Sequence, residues 1–140
     1  MLWLFFRPQL AGPLPLSLAI VDDDDDVRSA LVRLLRAMGH EVRAYTSAEE
    51  FEAETTTVDC AIIDVRLPGL SGFDLGERLR RRRPPTPVVL MTGDGNRLAR
   101  DIPDAIEAPL VTKPFDDVTL AAAIADAIST AGSFDGRHAS

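Results

Sequence analysis

The 140-residue sequence predicts a doubly wound α/β domain, a parallel sheet with helices on both faces. Two observations predict it. From Leu16 onward the apolar pattern switches repeatedly between short continuous runs and three- to four-residue spacing, the mark of strands alternating with helices. Five strand–helix units in order require right-handed helical crossovers, which place helices on both faces of a parallel sheet. With 46% hydrophobic residues, the chain fills one packed core.

Leu16-Ser17-Leu18-Ala19-Ile20-Val21 is a short apolar run closed by acids, as expected of a strand covered on both faces. Val27, Ala30, Leu31, Leu34, Leu35 and Met38 then recur at helical spacing, and Gly39 stands where that helix ends. Glu41 to Tyr45 alternates as a half-covered edge strand. Thr46 and Ser47 ahead of Ala48-Glu49-Glu50-Phe51 supply an N-cap and early acids for a short second helix. Val58 to Ile63 is the third strand, broken by Pro68, Gly69 and Gly72; Phe73 to Arg83 is helical until Pro84 and Pro85 forbid more. Arg80 to Arg83 then lie in that helix's last turn, where they complement the negative helix end; a basic binding patch is the other reading. Pro87 to Met91 is strand four, with Thr92-Gly93-Asp94-Gly95 as the turn beyond. Residues 96–109 contain Pro103 and Pro109 and few apolar anchors, so a short or broken fourth helix is expected. Leu110-Val111-Thr112 is strand five, and Asp116-Asp117 opens a last helix carrying Leu120, Ala123, Ile124, Ala127 and Ile128.

Residues 1–15 read as a flexible apolar leader, 16–131 as the domain and 132–140 as a flexible tail. The opening Met1 to Phe6 is stopped by Arg7 and Pro8, well short of the roughly 20 apolar residues that cross a bilayer. It also lacks the leading positive charge of a secretory signal. Packing of Trp3, Phe5 and Phe6 on a partner is the alternative to a leader. A net charge of -7 argues against direct contact with nucleic acid or an anionic membrane. The single cysteine, Cys60, rules out an internal disulfide or a zinc knot and suits a reducing cytoplasm; its apolar neighbours favour a core residue over a reactive thiol. No second core follows the last helix, so the chain is expected either to act alone through protein contact or to be a piece whose output domain is missing.

In doubly wound sheets the functional site forms outside the carboxyl ends of the strands. Asp22 and Asp23 follow strand one, Asp64 ends strand three, Thr92 ends strand four and Lys113 ends strand five, all on one rim. Each alone is an ordinary turn former or solvated polar group; their joint placement is not. Three close carboxylates raise each other's pKa unless a cation neutralises them, and a hard oxygen cluster suits Mg2+. A carboxylate so placed can attack a phosphoryl group and form an acyl phosphate, provided cationic and hydrogen-bonding groups offset the charge. Asp64 is the best nucleophile because it stands alone on its strand end before a tight Pro68-Gly69 loop; Lys113 is the cation and Thr92 the hydroxyl donor.

Ile20-Val21-Asp22-Asp23-Asp24, the run from Ile62 through Asp64, Val65, Arg66, Leu67, Pro68 and Gly69 to Gly72, Val89-Leu90-Met91-Thr92-Gly93 and Lys113-Pro114-Phe115 resemble the receiver domains of response regulators over about residues 16–131. The resemblance implies a flavodoxin-like strand order 2-1-3-4-5. It implies Asp64 as phosphoacceptor, Asp23 as a direct Mg2+ ligand, Asp22 as a ligand through water, and the Arg66 carbonyl as the remaining protein ligand. It further implies that Lys113 contacts the phosphoryl group, that the Lys113-Pro114 bond is cis, and that a sensor histidine kinase or phosphotransfer protein is the donor. A switch of this kind is not an enzyme beyond self-directed phosphotransfer and slow autodephosphorylation. A homodimer through the face of the fourth helix, strand five and the last helix also follows from the likeness.

Receivers usually carry an aromatic residue three positions before the lysine; this chain has Leu110. Arg66 and Asp94 each fall two residues beyond a site residue, and read either as an ion pair over the phosphoryl group that sets its lifetime or as two solvated charges. His40 and His138 offer no helical phosphohistidine site. A competing enzyme reading matches Asp23-Asp24-Asp25-Asp26-Val27 to the Asp-x-Asp-x-Thr/Val pattern of haloacid-dehalogenase-like phosphatases and makes Asp23 the nucleophile. It leaves Asp64 and its loop unexplained, and Asp116-Asp117 opens a helix where those enzymes need an acidic pair. A degenerate receiver used only for binding would lack an acid or the lysine, and none is missing.

Overall fold

The computed structural model describes residues 15–54, 57–93 and 108–139, with side chains through residue 131. Five strands form one parallel sheet: β1 (Ser17–Val21), β2 (Glu41–Tyr45), β3 (Cys60–Asp64), β4 (Val88–Thr92) and β5 (Leu110–Thr112). Their order is β2-β1-β3-β4-β5. Side chains alternate across each strand, so the sheet supplies two cores. Leu18, Ile20, Ile62, Val89 and Met91 face helices α1 (Asp25–Ala37) and α4 (Asp117–Ala139), meeting Leu31, Leu35, Leu120 and Ile124. Ala19, Val21, Ala61, Ile63 and Leu90 face α2 (Ala48–Ala53) and α3 (Gly72–Arg80), meeting Phe51, Leu75 and Leu79. Ile20, Ile62, Leu75 and Leu120 are wholly buried. Each such side chain stabilises the fold by roughly 1.5–3 kcal/mol. Cys60 belongs to the first core, where burial, with the nearby Asp59 charge, pushes its thiol up to about 12.

Helix starts follow local chemistry. The Asp24 carboxylate accepts the Asp26 and Val27 amides at the head of α1. Ser47 accepts the Glu50 amide while Glu50 accepts the Thr46 amide, a reciprocal cap on α2. Ser71 caps α3 through the Asp74 amide, and Asp116 caps α4 through the Thr119 amide. Gly39, at φ +97°, ends α1 in the left-handed region, as its position predicts.

Two helix ends differ from expectation. α3 stops at Arg80 rather than Arg83, because the chain curls back: the Arg82 and Thr86 amides both donate to the Leu79 carbonyl. Of the four consecutive arginines only Arg80 is therefore helical, with Arg81 as the cap. α4 continues as helical backbone to Ala139 through the stretch expected as a tail; no proline follows Pro114 to interrupt its hydrogen-bond ladder. The expected leader, Asp94 and nearly all of the expected fourth helix lie outside the described residues. Among the described residues no helix is long and apolar enough to cross a membrane.

Candidate functional site

Parallel pairing of β1 with β3, and of β3 with β4, sets Val21 beside Ile63 and Asp64 beside Met91, so residues just past those positions share one rim. Asp22 follows β1 and is fully buried; its backbone amide donates to the Tyr45 carbonyl, and its Oδ1 accepts the Asp24 amide at 2.9 Å. Asp64, the last residue of β3, is 7% exposed, and its Oδ1 accepts the Arg66 amide at 2.9 Å. The Lys113 ammonium lies between them, 3.0 Å from Asp64 Oδ2 and 3.1 Å from Asp22 Oδ2. Exposed Asp23 completes the group, one carboxylate oxygen from each of the three acids falling within 4.8 Å of the others. Buried Thr92 ends β4, and its carbonyl accepts the Lys113 amide at 2.8 Å. The lysine and the threonine are thus joined through the backbone as well as through the rim.

Burial raises the Asp22 carboxyl above the usual range, and the Asp64 charge adds to it; the Asp24 amide and Lys113 offset this only in part. Burial works against the Lys113 charge, but hydrogen bonds and charges of Asp64 and then Asp22 outweigh it and raise the ammonium's pKa. One ammonium facing three carboxylates leaves the rim short of positive charge. The donor set is entirely hard oxygen and lies within 4.8 Å, near the roughly 4.2 Å that separates opposite ligands of a small octahedral cation at Mg2+–oxygen distances of about 2.1 Å. The residues fit Mg2+.

All the rim residues expected from sequence, Asp22, Asp23, Asp64, Thr92 and Lys113, come to this end of the sheet. Arg66 is exposed, and the Lys113-Pro114 bond is cis. Leu110 is half-buried against the second core. Two further residues make contacts that no local signal announces. Arg28 on α1 reaches back to donate to the Asp22 carbonyl at 2.8 Å while pairing with Asp25. Gly72 presses its α-carbon onto the end of β3, where a Cβ would stand 2.0 Å from the Asp64 carbonyl oxygen.

A parallel sheet of order 2-1-3-4-5 with acids and a lysine on its carboxyl rim places the molecule in the flavodoxin-like class. The family model described as the response regulator receiver domain matches residues 18–125, and the chain belongs to that family. The transcriptional regulatory protein FixJ of Azorhizobium caulinodans is 38% identical over 120 residues, 80% of this chain and 54% of FixJ. The BeF3-activated receiver domain of DrrB, a Thermotoga maritima protein, superposes with a TM-score of 0.70 at 26% identity, covering 83% of this chain and 99% of that domain. NtrX from Brucella abortus superposes with a TM-score of 0.76 at 25% identity, over 89% of this chain and 29% of NtrX. The chain spans about half the length of the curated relatives it matches. Family membership replaces the phosphatase reading with Asp23 as nucleophile.

Proposed function

We propose that Asp64 is the phosphoacceptor of a two-component signalling switch, with a sensor histidine kinase or phosphotransfer protein as donor. The observation that carries this is the Lys113 ammonium held at about 3 Å by both Asp64 and Asp22, on a rim where Thr92 also ends. A carboxylate oxygen of Asp64 attacks phosphorus. The new O–P bond forms as the P–N bond of the donor phosphohistidine breaks, and the departing imidazole nitrogen keeps the electron pair and takes up a proton. Asp22, Asp23, Asp64 and the Arg66 carbonyl would hold Mg2+, which when bound neutralises charge on the phosphoryl oxygens. Lys113 transfers its contact from the carboxylates to the phosphoryl group, and the Thr92 hydroxyl donates to it.

The donor is met beside Lys113, where an apolar groove of about 520 Å³ runs between Val27, Leu31 and Leu34 of α1 and Pro114 and Phe115. A phosphoryl group adds roughly 1.5–2 negative charges and biases a conformational equilibrium through contacts that differ between the two states. Thr92 and Lys113 make that difference. Leu110 offers no ring to bury or expose, so the signal leaves by another route than an aromatic switch. Output acts on a partner protein or a second copy, from a cytoplasmic location. Arg66 sets the acyl-phosphate lifetime by screening water.

Intact and peptide mass spectrometry after incubation with a small-molecule phosphodonor and Mg2+ tests the assignment. One phosphoryl group on Asp64, absent without Mg2+, is expected. Modification at Asp23, or none, overturns it.

A further inference from the structure

We infer that Glu49, on the first turn of α2, is a positioning residue that straps down the loop carrying the proposed Arg66 metal ligand and so sets Mg2+ affinity; this rests on the function proposed above. The loop between β3 and α3 runs from Val65 to Ser71 and is clamped at its base. There the Gly72 amide donates to the Val65 carbonyl, and the Gly72 α-carbon abuts Asp64. Base clamping leaves the tip, Pro68-Gly69-Leu70, exposed or half-exposed. Glu49 holds it from another element: Glu49 Oε2 accepts the Leu70 amide at 2.8 Å, 21 residues away in sequence.

The tip's backbone conformation, more than its contact with Glu49, constrains the loop's composition. Gly69 has φ +74°, and a Cβ there would stand 2.6 Å from the same Glu49 oxygen. The Leu70 amide in turn holds the Glu49 carboxyl below the usual range. α2 is itself fixed where Glu49 needs it. Ala48 and Phe51 are buried in the second core with Leu67 of the loop, and Glu52 pairs with Arg78 of α3 at 2.6 Å. Arg66 lies between base and tip, its amide bonded to Asp64 Oδ1. Releasing the tip lets the Arg66 carbonyl and the Asp64 carboxylate wander from the geometry a small octahedral cation demands.

Calorimetric titration with MgCl2 alone, on wild type, Glu49→Ala, Glu49→Gln and Glu50→Ala, tests this. Glu50 caps the same helix through Thr46 and does not touch the loop, so Glu50→Ala reports loss of helix stability only. Glu49→Ala is expected to weaken Mg2+ binding roughly 5-fold, less than the 10- to 100-fold typical of partners that bond metal ligands directly. It is also expected to speed hydrogen exchange at the Leu70 amide. Glu49→Gln, which keeps an acceptor oxygen, restores most of the affinity, and Glu50→Ala leaves it at the wild-type value. Wild-type affinity in Glu49→Ala, or an equal loss in Glu50→Ala, overturns the strap while leaving the metal site intact. A wild-type protein that takes up no Mg2+ overturns the metal site itself and the strap with it.

Discussion

β3 and β5 each deliver one charged side chain to the rim, and they do so from opposite kinds of strand. Every residue of β3 is buried, and it pairs on both sides, with β1 and β4. β5 has three residues, of which Val111 alone is buried, and among the described residues it pairs only with β4, at the sheet edge. Strands held on both sides open only with global unfolding, whereas short edge strands open at lower cost. The carboxylate proposed as phosphoacceptor therefore sits on the rigid half, and the ammonium paired with it sits on the half that can yield. A switch needs this division, because a charge added to a site whose every part is fixed has no second state to favour.

Lys113→Ala breaks the comparison hardest from the β5 side. If Lys113 donates to the phosphoryl oxygens as proposed, its loss is expected to slow phosphorylation of Asp64 by a small-molecule donor roughly 100-fold or more. Because the change lies at an edge, the unfolding transition should remain cooperative. Time-resolved mass spectrometry gives the rate, and a rate equal to wild type would mean that the ammonium takes no part.

Gly72→Ala attacks the β3 side. The added Cβ meets backbone, the Asp64 carbonyl oxygen at 2.0 Å, and no rotamer change relieves that contact. A loss of about 2–3 kcal/mol is expected, at the upper part of the usual overpacking range. Gly76→Ala, four residues along α3, is the control: its Cβ would find Leu90 and Val88 at 3.6 and 3.7 Å, ordinary contact distances. Replacing a mid-helix glycine there should gain up to about 1 kcal/mol. Urea unfolding of the pair checks both signs, and equal behaviour of the two variants would show that the close approach at Gly72 is not a constraint.

The strands and the rim were legible in the sequence because both are local. Each buried strand is a continuous apolar run, and Asp22, Thr92 and Lys113 announce themselves by following such runs. The third and fourth strands extend one residue further than their apolar runs, to Asp64 and Thr92, because ladder hydrogen bonding ignores side-chain polarity. What escaped depends on distance in space. Nothing in the sequence singles out Arg28 before the Asp22 carbonyl stands beside it, and Glu49 reads as an early helix acid until the Leu70 amide meets it. Gly72 was visible as a loop breaker, but the backbone contact that demands glycine exists only once α3 is docked. The early stop of α3 was hidden for the same reason: the Leu79 carbonyl takes its partners from residues beyond the helix.

The smallest expected effect concerns what the rim costs the fold while no cation is bound. Asp22 is buried and its carboxyl is raised above 3.8, mainly by that burial, so its ionisation opposes folding. Its contribution is most favourable below the unfolded value of 3.8 and is lost as pH rises through the folded value. Asp22→Asn removes the charge while keeping an acceptor for the Asp24 amide. In a chelator at neutral pH the variant should therefore be more stable than wild type by about 1 kcal/mol, the scale of an ordinary single substitution. The gain is small because Lys113 loses one of its two partners; its raised pKa marks stabilisation that persists until pH passes the folded value above 10.5. Lowering the pH toward 3.8 should close the gap as wild-type Asp22 takes up its proton. Saturating Mg2+ should close it from the other side, by stabilising wild type alone. A variant less stable than wild type in chelator at neutral pH would mean that the Lys113 pairing outweighs the burial of Asp22, and the rim would then be a stabilising cluster in its own right.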